Sequence, residues 1–271
     1  MLLEKIKTPG LSHLSYLIGS GGKAAVIDPR RDCECYVEMA RAEGLEITHI
    51  FETHRNEDLV SGAPVLKELT GARVLHGPNA DGTVEYAETV HEGDEFEIGQ
   101  MKIRVLETPG HTDDSYSFLL DDRVFTGDTL LIRGTGRTDF QHGSAVAAYD
   151  SIFNKLLKLP DDTLVYPAHD YKGDTVSTIG EEKAFNPRLQ VSSVEDYAEI
   201  MDNLNLADPK MTDVAVPANL KIGLSQDEVE AKGWSVSAEP ALDLVGQPDV
   251  VLVDLRDKGE RERHGVIPGS I

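Results

Sequence analysis

The sequence predicts an α/β (α+β) protein built as an αββα sandwich, in which two β-sheets pack face to face and helices cover both outer faces. Two observations indicate this class. Short apolar segments typical of strands alternate with helix-like segments, and several of these strands end in a turn followed by a histidine or an aspartate. A rigid sheet commonly presents its chemistry from the loops at its strand ends. We therefore expect these polar residues to meet at one edge of the sandwich.

Individual elements follow from local apolar patterns. Ser15–Ile18 and Ala24–Asp28 are short and apolar, as paired strands should be, and Asp28 is expected to lie in a surface turn, with a place near the metal loops as the alternative. Within Ser144–Leu157, apolar residues recur at helical spacing. In chain order, the predicted elements are two or three strands in 2–28, helix Cys35–Glu43, strand Glu46–Phe51, helix Ala63–Thr70, strand Arg73–His76, hairpin Asp94–Ile98 with Met101–Glu107, hairpin Ser115–Leu120 with Arg123–Phe125, and helix Ser144–Leu157.

The most informative segment is Glu52–Gly62, which follows the predicted strand Glu46–Phe51. It contains His54 and Asp58. A lone histidine followed four residues later by an aspartate occurs more often in an ordinary loop than in a metal site. By itself, this segment therefore gives only a weak indication of metal binding.

Three later segments each place one more metal-ligating residue after a predicted strand. His111 follows a Pro-Gly turn, Asp128 follows an apolar strand end, and His169 ends a third apolar strand. Together with His54, the pair His111 and Asp128 gives two histidines and one carboxylate, the ligand set of non-haem Fe(II) oxygenases. Asp58, Asp128 and His169 form a rival set, whose two carboxylates suit a harder ion. The first set is preferred, and the sequence leaves the second open.

The order and spacing of these segments resemble those of the metallo-β-lactamase superfamily, whose metal signature is Thr-His-x-His-x-Asp-His at the end of a strand. Thr53, His54 and Asp58 match that signature, whereas Asn56 and Leu59 replace its other two histidines. Leu59 offers no donor atom and Asn56 is a poor ligand, so the second pocket of a two-metal site is incomplete. Because a hydrolytic metal pair needs both pockets filled, the substitutions favour oxygen chemistry over hydrolysis.

Within that superfamily, the chain resembles the persulfide dioxygenase (sulfur dioxygenase) family over about residues 1–222. The similarity extends beyond the ligands to Arg133–Gln141, Phe185–Leu189, Asn203–Leu206 and Ala215–Asn219. The resemblance implies one Fe(II) per chain, held by His54, His111 and Asp128 as the catalytic residues. With the first ligand set preferred, Asp58 is expected to be a hydrogen-bond partner that orients a ligand histidine, and His169 such a partner or a residue that faces the substrate.

The resemblance also implies a reaction and a substrate site. Members oxidise a low-molecular-weight thiol persulfide, such as glutathione persulfide, with O2 to sulfite and the free thiol, in sulfide and sulfane-sulfur metabolism. By family position, Arg137, Tyr166 and Arg188 are the substrate-binding candidates. Arginine suits such a site because it can grip a carboxylate through two parallel hydrogen bonds. For each arginine, an internal salt bridge is the competing interpretation.

Two other functions stay open at the level of the sequence. The first is a glyoxalase-II-like thioester hydrolase with zinc, which would share the fold, although Asn56 and Leu59 weigh against it. The second is a pseudoenzyme that keeps the fold without a metal. Metal content would separate the pseudoenzyme from the two enzymes, and dependence on O2 would separate the dioxygenase from the hydrolase.

Composition narrows the class of partner. A formal net charge of −22 argues against nucleic acid or an anionic membrane surface as a partner. Apolar stretches are short and broken, so we expect no transmembrane helix, and the N-terminus does not resemble a secretory signal. Cys33 and Cys35 are separated by one residue and are expected to be unpaired thiols in a reducing cytoplasm. A homodimer is what the family resemblance suggests.

The chain is predicted to contain a second, incomplete domain. Residues 1–222 form the predicted metallo-β-lactamase-fold dioxygenase domain, and residues 223–240 the linker. Asp249–Arg256 is predicted to be a buried strand, and Gly259–Gly269 follows it with a Gly-x-Ile-Pro-Gly-like turn. Residues 241–271 therefore resemble the opening of a rhodanese-like domain. We expect that domain to be truncated and, without its cysteine loop, unable to act as a sulfurtransferase.

Overall fold

The computed structural model describes residues 1–8, 11–56, 58–78, 80, 82, 84–139, 142–173, 176–206, 212–220 and 247, with 212–214 described for the backbone alone. The chain divides into two units, Met1–Ile222 and Gly223–Ile271, and the description below concerns the first. Apart from Gln247, the predicted linker and the rhodanese-like segment lie outside the described residues. The predicted division into domains therefore stays a prediction.

The first unit contains two six-stranded sheets with helices on their outer faces. In the first sheet the strand order is β1-β2-β3-β4-β5-β6, with strands Leu2–Lys7, Leu14–Ser20, Lys23–Ile27, Glu46–Phe51, Arg73–His76 and Glu88–Thr89. In the second sheet the order is β12-β11-β10-β9-β8-β7, with β7 to β12 at Glu95–Ile98, Met101–Glu107, Tyr116–Leu119, Arg123–Gly127, Leu164–Pro167 and Ser177–Thr178. From β3 to β6 the first sheet is parallel, and β10 and β11 are parallel in the second.

Side chains that alternate along the strands build the core between the sheets. Tyr16 and Ile18 of β2 lie in this core together with Phe125 of β10. Their neighbours Leu17 and Val124 face the other way, toward the helices outside each sheet. This alternation follows from the two-residue period of a strand, because both faces of each sheet are covered by apolar layers.

The helices form the two outer layers. Tyr36 and Leu66 pack against the first sheet, and Ile152 and Tyr197 pack against the second. The helices are α1 at Glu34–Ala42, α2 at Ala63–Thr70, α3 at Ala145–Tyr149, α4 at Ile179–Phe185, α5 at Val194–Asp202 and α6 at Thr212–Ala218. The four layers confirm the predicted αββα sandwich. Among the described residues, no helix is long and apolar enough to cross a membrane.

Two parts of the helical layer differ from the sequence-based expectation. The single helix predicted for Ser144–Leu157 begins as α3, capped by the Ser144 side chain, and continues as a π-helical turn at Asp150–Lys155 and a 3-10 turn at Leu156–Lys158. Helices α4 to α6 were not predicted individually from the sequence. Thr178 and Ser193 accept hydrogen bonds from backbone amides at the starts of α4 and α5, as helix-capping residues do.

Candidate metal centre

The loops after β4, β8 and β10 bring His54, His111 and Asp128 together where the two sheets meet. One donor atom of each residue lies within 4.8 Å of the other two, and all three residues are buried. The rings of His54 and His111 meet edge to face with centroids 5.0 Å apart. Nε2 of His111 lies 3.7 Å from Oδ2 of Asp128. The structure therefore gathers the first of the two ligand sets that the sequence left open.

A short chain of hydrogen bonds orients His54. Asp28 follows β3 with φ +50° and accepts hydrogen bonds from the backbone amide of Thr53, at 2.7 Å, and from its hydroxyl, at 2.8 Å. Because the single hydroxyl proton of Thr53 goes to Asp28, the hydroxyl oxygen accepts from Nδ1 of His54, at 2.9 Å. Nε2 of His54 is then the nitrogen that carries the lone pair. Asp28 thus lies beneath the metal loop, and its expected place in a surface turn was wrong.

The second histidine is oriented by the loop that follows Asp128. Nδ1 of His111 donates to the backbone carbonyl of Arg137 at 2.8 Å, which leaves Nε2 as the metal-facing nitrogen. Gly136 lies between these residues, and its amide donates to the carbonyl of Asp128 at 2.7 Å. The loop passes so close that a Cβ atom at Gly136 would lie 2.3 Å from that carbonyl oxygen. A glycine is therefore required at this position.

The carboxylate of Asp128, the third candidate ligand, is held by a neighbouring histidine. Nδ1 of His169 lies 2.8 Å from Oδ1 of Asp128, and Nε2 of His169 lies 3.3 Å from Oδ2 of Asp58. Burial alone would lower the pKa of His169, but the carboxylates of Asp128 and Asp58 raise it well above its usual range. Both nitrogens of His169 therefore face carboxylates. Within the described part of the chain, His54, His111 and Asp128 form the one group whose donor atoms lie this close together, and the rival set does not form such a group.

The two residues that depart from the superfamily signature, Asn56 and Leu59, take part in hydrogen bonds that hold the loop in place. Oδ1 of Asn56 accepts a hydrogen bond from the amide of Asp58 at 3.1 Å. The buried side chain of Asn219 donates to the carbonyls of Asn56 and Leu59, at 2.9 and 3.0 Å, and accepts from the amide of Ser61 at 2.8 Å. Asn219, which follows α6, thus holds the metal loop from a position far along the chain. The sequence signal for it was the resemblance over Ala215–Asn219, which gave no role for the residue.

The donor set fits a single transition-metal ion. In both histidines Nδ1 makes a hydrogen bond, so Nε2 is the nitrogen that points inward. Oδ1 of Asp128 is bound by His169, so Oδ2 is the oxygen that faces His111. Metal-bound histidines in proteins commonly have their other nitrogen fixed in this way. The chemistry of the set, two imidazoles and one carboxylate, suits Fe(II) with open coordination positions.

A cavity of about 530 Å³ opens onto this site. Its lining includes His111, Asp128, Arg137 and Arg188. Two of the three substrate-binding candidates therefore line the same cavity as His111 and Asp128, two of the candidate metal ligands. The third, Tyr166, is not among the lining residues.

Tyr166 is partly buried and packs against the core between the sheets. Its ring packs against Tyr16 and Phe125, with centroids 5.5 and 5.3 Å apart. Val165, the preceding residue of β11, faces the helices instead. The strand's two-residue period thus turns Tyr166 toward the other sheet.

An ion pair that the sequence did not reveal joins two of the metal loops. Arg55 and Asp114 are both 0% exposed, and Nε of Arg55 donates to Oδ2 of Asp114 at 2.5 Å. Nη2 of Arg55 donates to Asp113 at 2.9 Å. Arg55 directly follows His54, and Asp114 lies in the loop that carries His111, so the pair fixes one ligand loop against the other. The only sequence signal was the presence of opposite charges beside two ligand positions.

Comparison with known proteins decides the family. The metallo-beta-lactamase superfamily profile matches residues 8–169. The persulfide dioxygenase ETHE1 of Mus musculus is 40% identical over 238 residues, which cover 83% of this chain and 89% of that protein. The chain belongs to the persulfide dioxygenase family of the metallo-beta-lactamase superfamily.

A solved structure supports membership in the persulfide dioxygenase family. The crystal structure of ETHE1 from Myxococcus xanthus matches with a TM-score of 0.78 and 47% identity, covering 81% of this chain and 98% of that one. A hydroxyacylglutathione hydrolase from Polaromonas is more distant, at 30% identity over 75% of this chain and 91% of the hydrolase. The family predicted from the sequence motifs is therefore confirmed.

Proposed function

We propose that this chain is a mononuclear non-haem Fe(II) dioxygenase that oxidises a low-molecular-weight thiol persulfide with O2 to sulfite and the free thiol. Family membership supports the reaction. The observation that carries the proposal is the buried group of His54, His111 and Asp128, beside a position where Leu59 offers no ligand for a second metal. A metal is expected from the superfamily, and Fe(II), one per chain, is the identity that we propose for it.

The proposed reaction balances without another reactant. One persulfide, one O2 and one water give one thiol, one sulfite and two protons. The S–S bond of the persulfide breaks, and the inner sulfur leaves as the thiol. The terminal sulfur loses four electrons as it becomes sulfite, and O2 accepts those four electrons.

Within this proposal, each residue of the site has a defined task. His54, His111 and Asp128 would hold the Fe(II), which when bound supplies the redox chemistry between O2 and the sulfane sulfur. Thr53 and the carbonyl of Arg137 keep the two imidazoles in the tautomer that binds a metal through Nε2. These hydrogen bonds fix the orientation of both rings.

His169 and Asp58 would act on the carboxylate ligand. His169 holds Oδ1 of Asp128, and Asp58 holds the far nitrogen of His169. This arrangement limits rotation of the Asp128 carboxylate, so that Oδ2 stays toward His111. We propose both as positioning residues.

Arg137 and Arg188 would bind the thiol carrier, because both line the cavity that opens onto the site. Arg137 also pairs with Asp139, at 2.6 and 2.7 Å, so its internal salt bridge and its place at the cavity coexist. Arg188 donates to the backbone carbonyl of Thr135. Tyr166, the third candidate by family resemblance, packs against the core and is not among the residues that line this cavity.

The subcellular location and assembly are proposed on separate grounds. Cys33 and Cys35 are both free thiols, which supports a reducing compartment such as the cytoplasm. A homodimer is proposed from the family resemblance, and light scattering of the purified chain would test it. A monomer at micromolar concentration would contradict that part of the proposal.

Oxygen uptake by anaerobically Fe(II)-loaded protein, on addition of glutathione persulfide, tests the proposed function. We expect one sulfite per O2 consumed, and loss of both in Asp128→Ala. The zinc-loaded protein is the matched metal control and should consume no O2. Iron-bound protein without O2 uptake, tested with several persulfides, would overturn the proposal. Thioester hydrolysis by the zinc form would instead support the hydrolase.

A further inference from the structure

Two cations of the cavity have no carboxylate partner in the described part of the chain. The cavity lining carries seven charged side chains, which are Asp58, Asp128, Arg133, Arg137, Asp170, Lys172 and Arg188. Arg133 is paired with Glu181 and Glu182, and Arg137 with Asp139. For Lys172 and Arg188, the described structure contains no ion pair.

The three aspartates of the lining are already engaged. Asp128 and Asp58 face His169. Oδ1 of Asp170 accepts hydrogen bonds from the amides of Lys172 and Gly173, both at 2.9 Å. The Asp170 carboxylate therefore shapes the turn that carries Lys172.

The cost of keeping Arg188 without a counter-charge points to a ligand. Arg188 is partly buried, and its burial lowers the pKa of its guanidinium. A desolvated cation without a counter-charge is unfavourable, so it is seldom kept unless a ligand supplies that charge. The chain has 48 acidic residues and only 26 basic ones, and surface cations such as Lys23 and Arg73 are paired. In this cavity, Arg188 is partly buried and Lys172 is exposed, and neither has a carboxylate partner among the described residues.

The lining also contains apolar surface, which a bare inorganic anion would not use. Leu131, Ile132 and Leu206 line the cavity with the cations. A cavity of about 530 Å³ has the size of a small-molecule site. Its occupant should therefore carry carboxylates on an organic frame.

We propose that Lys172, acting with Arg188, is a specificity-determining residue that selects persulfides whose thiol carrier bears two carboxylates. This inference rests on the proposed function of the site. Each cation would receive one carboxylate of the carrier while the terminal sulfur reaches the metal ligands. A carrier without carboxylates would leave both cations unpaired, and it would therefore bind less tightly.

The experiment compares the persulfides of glutathione and of glutathione diethyl ester, in which ethyl groups neutralise the two carboxylates. Lys172→Met is the test variant and Lys172→Arg the conservative one. Lys158→Met is the matched control, because Lys158 is also exposed, has no ion pair among the described residues and lies outside the cavity lining.

We expect Lys172→Met to raise the KM for glutathione persulfide about threefold to tenfold, as the loss of one partly exposed charge-assisted contact should do, with kcat unchanged. The KM for the diester should not change, Lys172→Arg should restore the wild-type value, and Lys158→Met should have no effect. An equal change for both substrates, or none for either, would overturn the proposal.

A binding measurement separates this inference from the proposed function. Calorimetric titration of the full chain with glutathione itself should show weaker binding in Lys172→Met than in Lys158→Met. If no persulfide supports O2 uptake but this difference is found, the proposed function fails and the inference stands. If O2 uptake is normal and glutathione binds both variants equally, the function stands and the inference fails.

Discussion

Nδ1 of His169 donates a hydrogen bond to Oδ1 of Asp128 at 2.8 Å, and the same ring faces Asp58 through Nε2 at 3.3 Å. A residue that the sequence offered as a ligand thus lies between two carboxylates. His13 packs edge to face on this ring, with centroids 5.6 Å apart, and Leu14 donates to the carbonyl of Ala168 at 2.7 Å. The position of His169 is therefore fixed from both sheets.

His169→Leu should weaken metal binding without abolishing it. The variant removes the group that orients Asp128 and leaves the three proposed ligands in place. Loss of such an orienting partner typically lowers metal affinity about 10-fold to 100-fold. Competition with a chelator would measure the change, and His54→Ala is the ligand-loss comparison. Complete loss of metal in His169→Leu, with retention in His54→Ala, would support the rival ligand set.

Gly136→Ala should disturb the site, whereas Gly134→Ala should not. A Cβ at Gly136 would lie 2.3 Å from the backbone oxygen of Asp128 and 2.8 Å from Cγ of His111, so both ligands must shift. At Gly134 the nearest atom would be Cβ of Leu131 at 3.8 Å, an ordinary contact. We expect Gly136→Ala to lose about 1–3 kcal/mol of stability, typical of overpacking.

Urea unfolding and metal affinity would measure the two glycine variants side by side. Gly134→Ala should stay within about 0.5 kcal/mol of the wild type, because the added Cβ displaces no neighbouring atom. Equal behaviour of the two variants would show that the close approach at residue 136 does not constrain the site.

Asn219→Asp should loosen the metal loop. The aspartate keeps the shape of the side chain but replaces the amide donor with an oxygen that faces the carbonyls of Asn56 and Leu59. Each unsatisfied buried group costs about 1–3 kcal/mol, so we expect a loss in this range or above, together with weaker metal binding. Unfolding in urea, with and without metal, would measure both effects. Asn203→Asp, at an exposed site, is the control, and an equal loss there would contradict the assigned contact.

Asp114→Asn should destabilise the protein at neutral pH by up to about 3–5 kcal/mol, because the buried charge of Arg55 loses its buried counter-charge and keeps Asp113, which is partly exposed. The same change at Asp122, which pairs with Arg123 at the surface, should cost at most about 1 kcal/mol. Chemical unfolding of both variants at pH 7 would measure the difference. Equal, small effects would show that the buried pair does not hold the loops together.

The effect of Asp114→Asn should also depend on pH. Burial alone would raise the pKa of Asp114, but His76 and Arg55 beside it, with a hydrogen bond from Thr112, hold the pKa below its usual value. Since the pKa of the folded state lies below that of the unfolded state, about 3.9, the stabilisation is complete above about pH 4 and is lost as the pH falls toward the folded value. The gap in unfolding free energy between wild type and variant should therefore be constant from about pH 5 to 7 and shrink below about pH 4. A gap that grows on acidification would contradict the ion pair.

Local patterns predicted the strands well where each strand lies in a covered sheet. Glu46–Phe51, Arg73–His76 and the hairpin strand Met101–Glu107 have the predicted bounds. Their apolar residues face buried layers, so each of these strands is visible in the sequence as a short apolar segment. The helix predicted for Ser144–Leu157 changes to π and 3-10 turns after Tyr149, a change that its apolar spacing did not indicate.

Residues that work through distant partners were harder to predict. Asn219 holds the metal loop across more than 150 positions of sequence, and Arg55 meets Asp114 from another loop. Neither contact leaves a spacing pattern, because both depend on how strands distant in sequence are placed side by side. Tyr166, a substrate-binding candidate by family resemblance, stays a prediction, and in the structure its ring packs against the core between the sheets.

The sequence by itself determined the fold class, the family and the residues from which a ligand set could be chosen. Strand periodicity and the chemistry of histidine, aspartate and leucine are local properties that any single chain displays. Only the tertiary structure decided that His54, His111 and Asp128 face one another while His169 turns toward two carboxylates. The reason is physical: a ligand set is defined by distances between loops of two sheets, and those distances arise only when the sheets pack on a common core.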